Sequence, residues 1–377
     1  MTTAAPPPAA AVDHLLPGLA RVRLIEPTAG DTAAVARQLG PTRAPVEGEA
    51  DLTIRFVDHL PVSSRLRLLG AHDAGFTDEG FLVLRAKHKA SARVLVPLER
   101  VGQPCEIVCE HGAPAVPLLI PILNLTVLAG GALPLHAAAF LHEGVGAVVT
   151  GWSKGGKTEA LLSFVDRGAT YIGDEWVYLS GDGRTATGIP EPIRVWDSHL
   201  QTVPHHWRDL PRGSRARLRG IRGLRSLHDR IPPSVRRTRA GRLAERALPL
   251  LEGQAHVDLE PSGLLGAADG AASGPFDRLF LVVSAERDDI AVEAVEPRAV
   301  AERMVFSLQY ERLDLMGWYW KFRYAFPDAA NPLLETVEEV ERKLLLQVMD
   351  AKPAWTVEHP YPVDIPDLFR AMTPYLR

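Results

Sequence analysis

Four residues stand at the spacing of a phosphate cradle: Gly151, Gly156, Lys157 and Thr158, within Gly151-Trp-Ser-Lys-Gly-Gly-Lys-Thr158. Glycines at such positions let backbone N–H groups turn inward around phosphate oxygens, and the helix that follows adds the positive end of its dipole. A lysine there neutralises β- and γ-phosphate oxygens, and the threonine hydroxyl ligates Mg2+. The expected nucleotide-binding set is Gly151, Ser153, Lys154, Gly155, Gly156, Lys157, Thr158 and Glu159, with ATP and Mg2+ as the implied cofactors.

What happens to the phosphate depends on other groups. Asp174 and Glu175 follow the strand-like run Ala169-Thr-Tyr-Ile172. In open α/β sheets ligands gather at the carboxyl ends of strands, so this pair is expected to face the γ-phosphate. One carboxylate would ligate Mg2+ and the other would accept a proton from an attacking hydroxyl. The alternative is a solvated acidic turn. His136 sits in an apolar run, where a lone histidine most often reads as a satisfied core residue. Cys105 and Cys109 stand four apart with His111 nearby. Three soft ligands without a fourth make a poor metal site, so two buried thiols in a strand is the favoured reading.

These residues need elements to hold them. Leu133 to Phe140 reads as a strand, His142 to Gly146 as a hairpin turn, and Ala147 to Thr150 as a buried strand feeding the glycine-rich loop. Glu159 to Arg167 reads as a helix stopped by Gly168. Further strands are expected at 169–172, 177–179 and 277–283, and helices at 298–324 and 333–349. The last of these has acids early and bases late, matching the helix dipole. Short alternating runs such as Leu52-Thr-Ile-Arg-Phe-Val57 mark residues 13–130 as a smaller β-rich unit. The fold class is α/β, with a disordered tail over 1–12 and the chemistry in 131–377. Pro114 to Phe140 carries no Asp, Glu, Lys or Arg. Pro117, Pro121, Pro134 and Gly130-Gly131 divide it into a buried helix, a turn and a strand rather than a membrane span.

The 377 residues include 42 basic and 46 acidic side chains, with 46% apolar residues. That balance fits a globular chain and excludes a disordered, collagen-like or coiled-coil protein. A net charge of −4 opposes a generic nucleic-acid or membrane-surface binder. Two cysteines cannot scaffold a chain this long, which with the absence of a signal-like start leads to a cytoplasmic expectation. Residues 212–246 are the exception: 12 Arg against Asp229 and Glu245, divided by Pro232-Pro233. Two readings stay open for this Arg-rich insert. One is a solvated, partly disordered basic segment; the other is a docking segment for an anionic partner, since arginine forks fit phosphate and carboxylate.

The spacing of several residues resembles the C-terminal catalytic domain of HPr kinase/phosphorylase. His136 precedes Gly151 at the family's interval, Glu159 follows Lys157-Thr158, and Arg167-Gly168 closes the helix. Asp174 and Glu175 follow Lys157 at the positions of the family's acidic pair. The resemblance covers residues 133–179 strongly and reaches the C-terminus weakly. It implies a P-loop-containing kinase domain of HPr kinase/PEP carboxykinase-like type. It implies that Asp174 is the catalytic base, with His136 beside it as charge partner or orienting group, and that Thr158 and Glu175 hold Mg2+. It also suggests a homo-oligomer. The sequence departs from the family at Glu175, where a second Asp is usual, and at Trp152 and Lys154. The family's downstream metal-binding Glu is missing from its place, where Leu200 stands. Glu191 is the nearest acid that could serve, or it is a solvated loop residue. The function expected is a Mg-ATP-dependent kinase acting on a hydroxyl of a peptide, protein or small molecule. The rival is a nucleotide-binding, ATP-hydrolysing regulatory module without phosphotransfer. Asp174 with His136 favours the first, because a switch ATPase needs a water-positioning group that has no specific candidate here.

Overall fold

Alternation of apolar and polar residues builds the first sheet. Its strands are β1 (Ala11–Leu16), β2 (Ala20–Ile25), β3 (Leu52–Val57), β4 (Arg67–Leu69), β5 (Ala74–Phe76), β6 (Phe81–Arg85), β7 (Ser91–Leu95) and β8 (Cys105–Glu110). They lie in the order β1-β2-β3-β8-β7-β6-β5-β4. Val22 and Leu24, then Leu52, Ile54 and Phe56, then Cys105, Ile107 and Cys109, point into one core. The computed structural model describes residues 10–60, 62, 64–85, 91–202, 207, 210–230, 253–259 and 272–377.

Two sequence expectations change here. The tail does not reach residue 12, because Ala11 and Val12 pair antiparallel with Ile25 and Leu24 at the start of β1; residues 1–9 lie outside the described residues. The β-rich unit also contains helix α1 (Ala29–Leu39), started by a reciprocal cap between Thr28 and Asp31. This helix is the crossover that the parallel pairing of β2 and β3 requires.

The second sheet carries the glycine-rich loop and the acidic pair. Helix α2 (Leu119–Ala129) leads through Gly130-Gly131 into β9 (Leu133–His142), which turns into β10 (Val145–Gly151). The charge-free segment is therefore a helix, a turn and a strand, as its breakers indicate. Helix α3 (Lys157–Val165) and strands β11 (Thr170–Gly173), β12 (Trp176–Leu179) and β13 (Thr185–Gly188) follow. Strands β14 (Ile193–Trp196) and β15 (His256–Leu259) form a separate pair; between them in the chain lie α4 (Asp197–Thr202) and α5 (Arg212–Asp229). The chain continues with β16 (Ser273–Pro275), β17 (Arg278–Ser284), β18 (Ala291–Ala294), α6 (Pro297–Ala325), α7 (Pro332–Met349), β19 (Ala354–His359) and α8 (Ile365–Met372). The large sheet runs β16-β13-β12-β9-β10-β17-β19-β18, with β11 paired to β9. Its centre is parallel, β10 beside β17 beside β19.

Helices cover both faces of that centre. Phe140 and Val149 pack with Leu161 and Phe164 of α3 and Leu368 of α8 on one face. Ala139 and Val148 meet Met304, Val305 and Leu308 of α6 and Leu345 of α7 on the other. Phe140 and Phe164 stack with ring centroids 4.5 Å apart; truncating either to Ala costs about 3–5 kcal/mol. The later half of α6 continues past the large sheet. Leu315, Tyr319 and Phe322 enter the core of the first sheet, and Asn331 donates to the Leu98 and Val101 carbonyls at 3.0 and 2.9 Å. The two sheets thus share one helix as a common wall.

The described part of the arginine-rich insert is helical. In α5, Leu218 is buried, Arg222 pairs with Asp197 at 2.7 Å, and Arg217 donates to the His256 carbonyl. The Arg222 guanidinium also lies 4.4 Å from the Trp207 ring centroid. Residues 231–246 lie outside the described residues. Among the described residues, no helix is long and apolar enough to cross a membrane.

Candidate active site

The glycine-rich loop is set at the end of β10 by close backbone approach. Gly151 pairs with Val282 of β17, and a Cβ built on it would lie 2.5 Å from the Val282 carbonyl oxygen. Gly156, at φ +107°, caps the start of α3, and a Cβ there would lie 2.3 Å from His359 Nε2. Only glycine combines that dihedral with that clearance. His359, at the end of β19, is fully buried, with Nε2 2.8 Å from the Gly155 carbonyl and Nδ1 2.8 Å from the Pro360 carbonyl. It props the loop from below. The N-cap Gly156 brings no side chain to the first N–H groups of α3, so the helix end is open to an anion.

Lys157 opens α3 and is buried. Its Nζ donates to the carbonyls of Gly151 at 3.3 Å and Trp152 at 3.0 Å. Burial pushes its pKa down, against the pull of Glu175, Asp174, Glu311 and Glu159. Trp152 is half exposed and packs on Tyr310 of α6. Ser153 is half-buried, and Lys154 is exposed at the loop tip with φ +62°. Glu159, in the first turn of α3, lies 3.1 Å from His199 Nε2 of α4. Burial raises its pKa, but the His199 ring outweighs burial and the carboxyl ends below its usual range.

Opposite the loop is a cluster of carboxylates. Antiparallel pairing of β12 with β9 sets Trp176 across from His136, which brings the Asp174-Glu175 turn against β9. Asp174 is buried, and Thr158 Oγ1 donates to it at 3.0 Å. Burial first, and then the neighbouring Glu175, push the Asp174 carboxyl up to about 7. Glu175 adopts φ +64°, and its Oε2 lies 3.0 Å from His136 Nε2. That histidine, more than the opposing burial, holds Glu175 below its usual range. On the other side of the His136 ring, Nδ1 lies 2.8 Å from Glu311 Oε1 on α6, at ion-pair distance but without hydrogen-bond alignment. Burial lowers the His136 pKa, but the two carboxylates together outweigh it.

Glu191, from the loop before β14, is no solvated loop residue. Its Oε1 is buried without a hydrogen-bond partner, and burial, then Glu175 and Asp174, push its pKa well up. Among the described residues, no group of three His, Cys, Asp or Glu side chains could hold a metal ion. Mg2+ does not call for such a group, being usually bound by one or two carboxylates plus phosphates and waters. Cys105 and Cys109 are buried thiols of β8, raised by burial to about 11 and about 12.

The structure thus brings His136, Lys157, Thr158, Asp174 and Glu175 together. It gives Glu159 a hydrogen-bond partner, His199, on α4. Glu311 and His359 belong to the site but carry no motif or spacing that marks them. Both arrive from elements far along the chain from the strand or loop they touch. No protein-family model and no curated protein matches the chain.

Proposed function

We propose that this chain is a Mg-ATP-dependent kinase that transfers the γ-phosphoryl group to a hydroxyl of a peptide, protein or small molecule. In this reading residues 131–377 form a P-loop kinase domain of the HPr kinase/PEP carboxykinase-like type. The observation that carries it is the contact between Thr158 and Asp174 beside the buried Lys157. There an open, glycine-lined helix end meets a buried carboxylate whose pKa, about 7, suits a general base.

The residues present fit nucleotide and metal. The Lys157 ammonium is folded onto two loop carbonyls, from which it can turn to phosphate oxygens without leaving the cradle. Thr158 offers a hydroxyl and Glu175 an ionised carboxylate for Mg2+. Bound Mg-ATP supplies the transferable group and the cation that offsets its charge. Asp174 takes the proton of the acceptor hydroxyl on a carboxylate oxygen. His136, gripped by Glu175 and Glu311, fixes where Glu175 points. The loop N–H groups and Lys157 hold the phosphates in place, so positioning and electrostatics supply the acceleration, as phosphoryl transfer requires.

Calorimetric titration of Mg-ATP into wild type and Lys157→Ala tests the cradle. Binding by the wild type and phosphate turnover lowered roughly 10²-fold in the variant are expected, the scale of losing one preorganised electrostatic contact. Equal turnover by both proteins would sink the cradle reading.

A further inference from the structure

Helix α6 carries an apolar row that nothing among the described residues covers. Leu313, Trp320 and Tyr324 are 52%, 61% and 74% exposed, with Gly317 between them. The positions 313, 317, 320 and 324 advance by four, three and four, the seam by which one helix pairs with another. The helix cannot turn this row inward, because Leu315, Tyr319 and Phe322 on its other side are locked in the core of the first sheet. A contiguous exposed apolar row with a polar border marks an interaction surface.

Shape and charge select the occupant. We infer that this face of α6 is the contact of a weak two-fold dimer, α6 against α6 of a second copy, antiparallel. With the axis between Trp318 and Tyr319, each Trp320 lies over Gly317 of the other copy. Each Leu313 then faces the other copy's Tyr324, and each Asp314 lies beside the other copy's Lys321. No atom lies within 4 Å of a Cβ built at Gly317, so the glycine leaves a gap for the indole. Asp314 is exposed. Lys321 Nζ rests 4.3 Å over the Trp318 ring and 3.9 Å from Asp73, and an ammonium with three donors can add a second carboxylate. A parallel pairing would set Trp320 against Trp320, leave the glycine gap empty and leave both charges unmatched.

The area sets the strength. Three half- to three-quarter-exposed side chains offer on the order of 400 Å² per copy, half of the roughly 800 Å² per partner of a standard stable interface. The dimer is therefore concentration-dependent, forming at roughly tens of micromolar. Because Glu311 lies on the same helix, pairing also buttresses the element that braces His136.

Sedimentation velocity of the full chain from about 2 to about 200 μM tests this. The weight-average mass should climb toward twice that of the chain. Leu313→Lys should raise the dissociation constant by roughly tenfold or more, because it sets an ammonium against the other copy's Tyr324 at each end of the seam. Asp314→Lys and Lys321→Asp should each weaken the dimer, and the double exchange should restore it. All these side chains lie at or near the surface, so matched melting curves confirm that folding is intact. A monomer throughout the range would overturn the inference. So would a dimer that ignores Leu313→Lys, or a double exchange that fails to rescue.

Discussion

The loop side of the site and its carboxylate side are built by opposite means. Around Lys157 the partners are backbone groups from one short segment: the carbonyls of Gly151 and Trp152, and the bare start of α3. Around Asp174 the partners are side chains from separate elements: Thr158, Glu175, Glu191 and, through His136, Glu311. The loop half needs little from the rest of the fold beyond a strand, a helix and His359 beneath it. The carboxylate half gathers four acids against Lys157 and His136, a strained arrangement that only the surrounding packing can hold. Burial first, and then crowding by like charges, place a carboxyl near neutrality, and such groups cluster where chemistry is done. The comparison teaches that one half offers backbone groups and a bare helix end, while the other holds a buried carboxyl near neutrality.

The largest effect should come from uncharging the crowded half. Asp174→Asn keeps size and loses the base, so transfer should fall by about 10²- to 10⁴-fold while nucleotide affinity changes little. The same change should stabilise the nucleotide-free protein. A carboxyl whose pKa rises from 3.8 unfolded to about 7 folded stabilises the fold below the lower value. That contribution is lost as pH rises through the upper one. The Asn variant should therefore melt above wild type at pH 8, with the gap closing toward pH 4. Thermal scans across that range read it directly, and a variant that melts lower at pH 8 would break the account of charge crowding.

The loop half breaks sterically rather than electrostatically. Gly156→Ala puts a Cβ against His359 at a dihedral that suits glycine, a strain of about 1–3 kcal/mol. Mg-ATP affinity should fall by roughly tenfold, with partial recovery when His359→Ala is added, since the clash goes but the dihedral strain stays. Titration of the single and double variants decides whether His359 is the prop. The smallest effect should follow Glu311→Gln. Removing one of two carboxylates that raise the His136 pKa should let burial pull it down. Ring-proton NMR titration should show that fall, with transfer reduced by roughly tenfold as for other outer partners that orient a site group. An unchanged His136 titration would remove Glu311 from the site.

The same contrast explains what could be read from the sequence. The strand, glycine-rich loop and helix at 145–165 follow from local patterning, as do the buried helix–turn–strand of 114–140 and the acidic pair after β11. Local signals also carried the long helices α6 and α7. Glu311 could not be found this way, because it is one acid among several on a long helix and only tertiary packing aims it at His136. His359 lies in a strand with no cue that it ends beneath a loop formed much earlier in the chain. Glu191 reads from sequence either as a solvated loop residue or as an acid beside the pair; the turn into β14 buries its Oε1, and burial, then Glu175 and Asp174, raise its pKa. Helix α1 hid among short strands because its cap, Thr28 to Asp31, stood next to no strongly periodic apolar run.

The most direct test of phosphoryl transfer is to incubate the chain with Mg2+, γ-labelled ATP and a panel of peptides rich in Ser, Thr and Tyr, and to follow label by mass spectrometry. The account expects one phosphate on a hydroxyl side chain of a candidate peptide, formed by wild type and lost in Asp174→Asn. Label released only as inorganic phosphate, at one rate with and without every peptide and unaffected by Asp174→Asn, would contradict it and leave a nucleotide-hydrolysing module in its place.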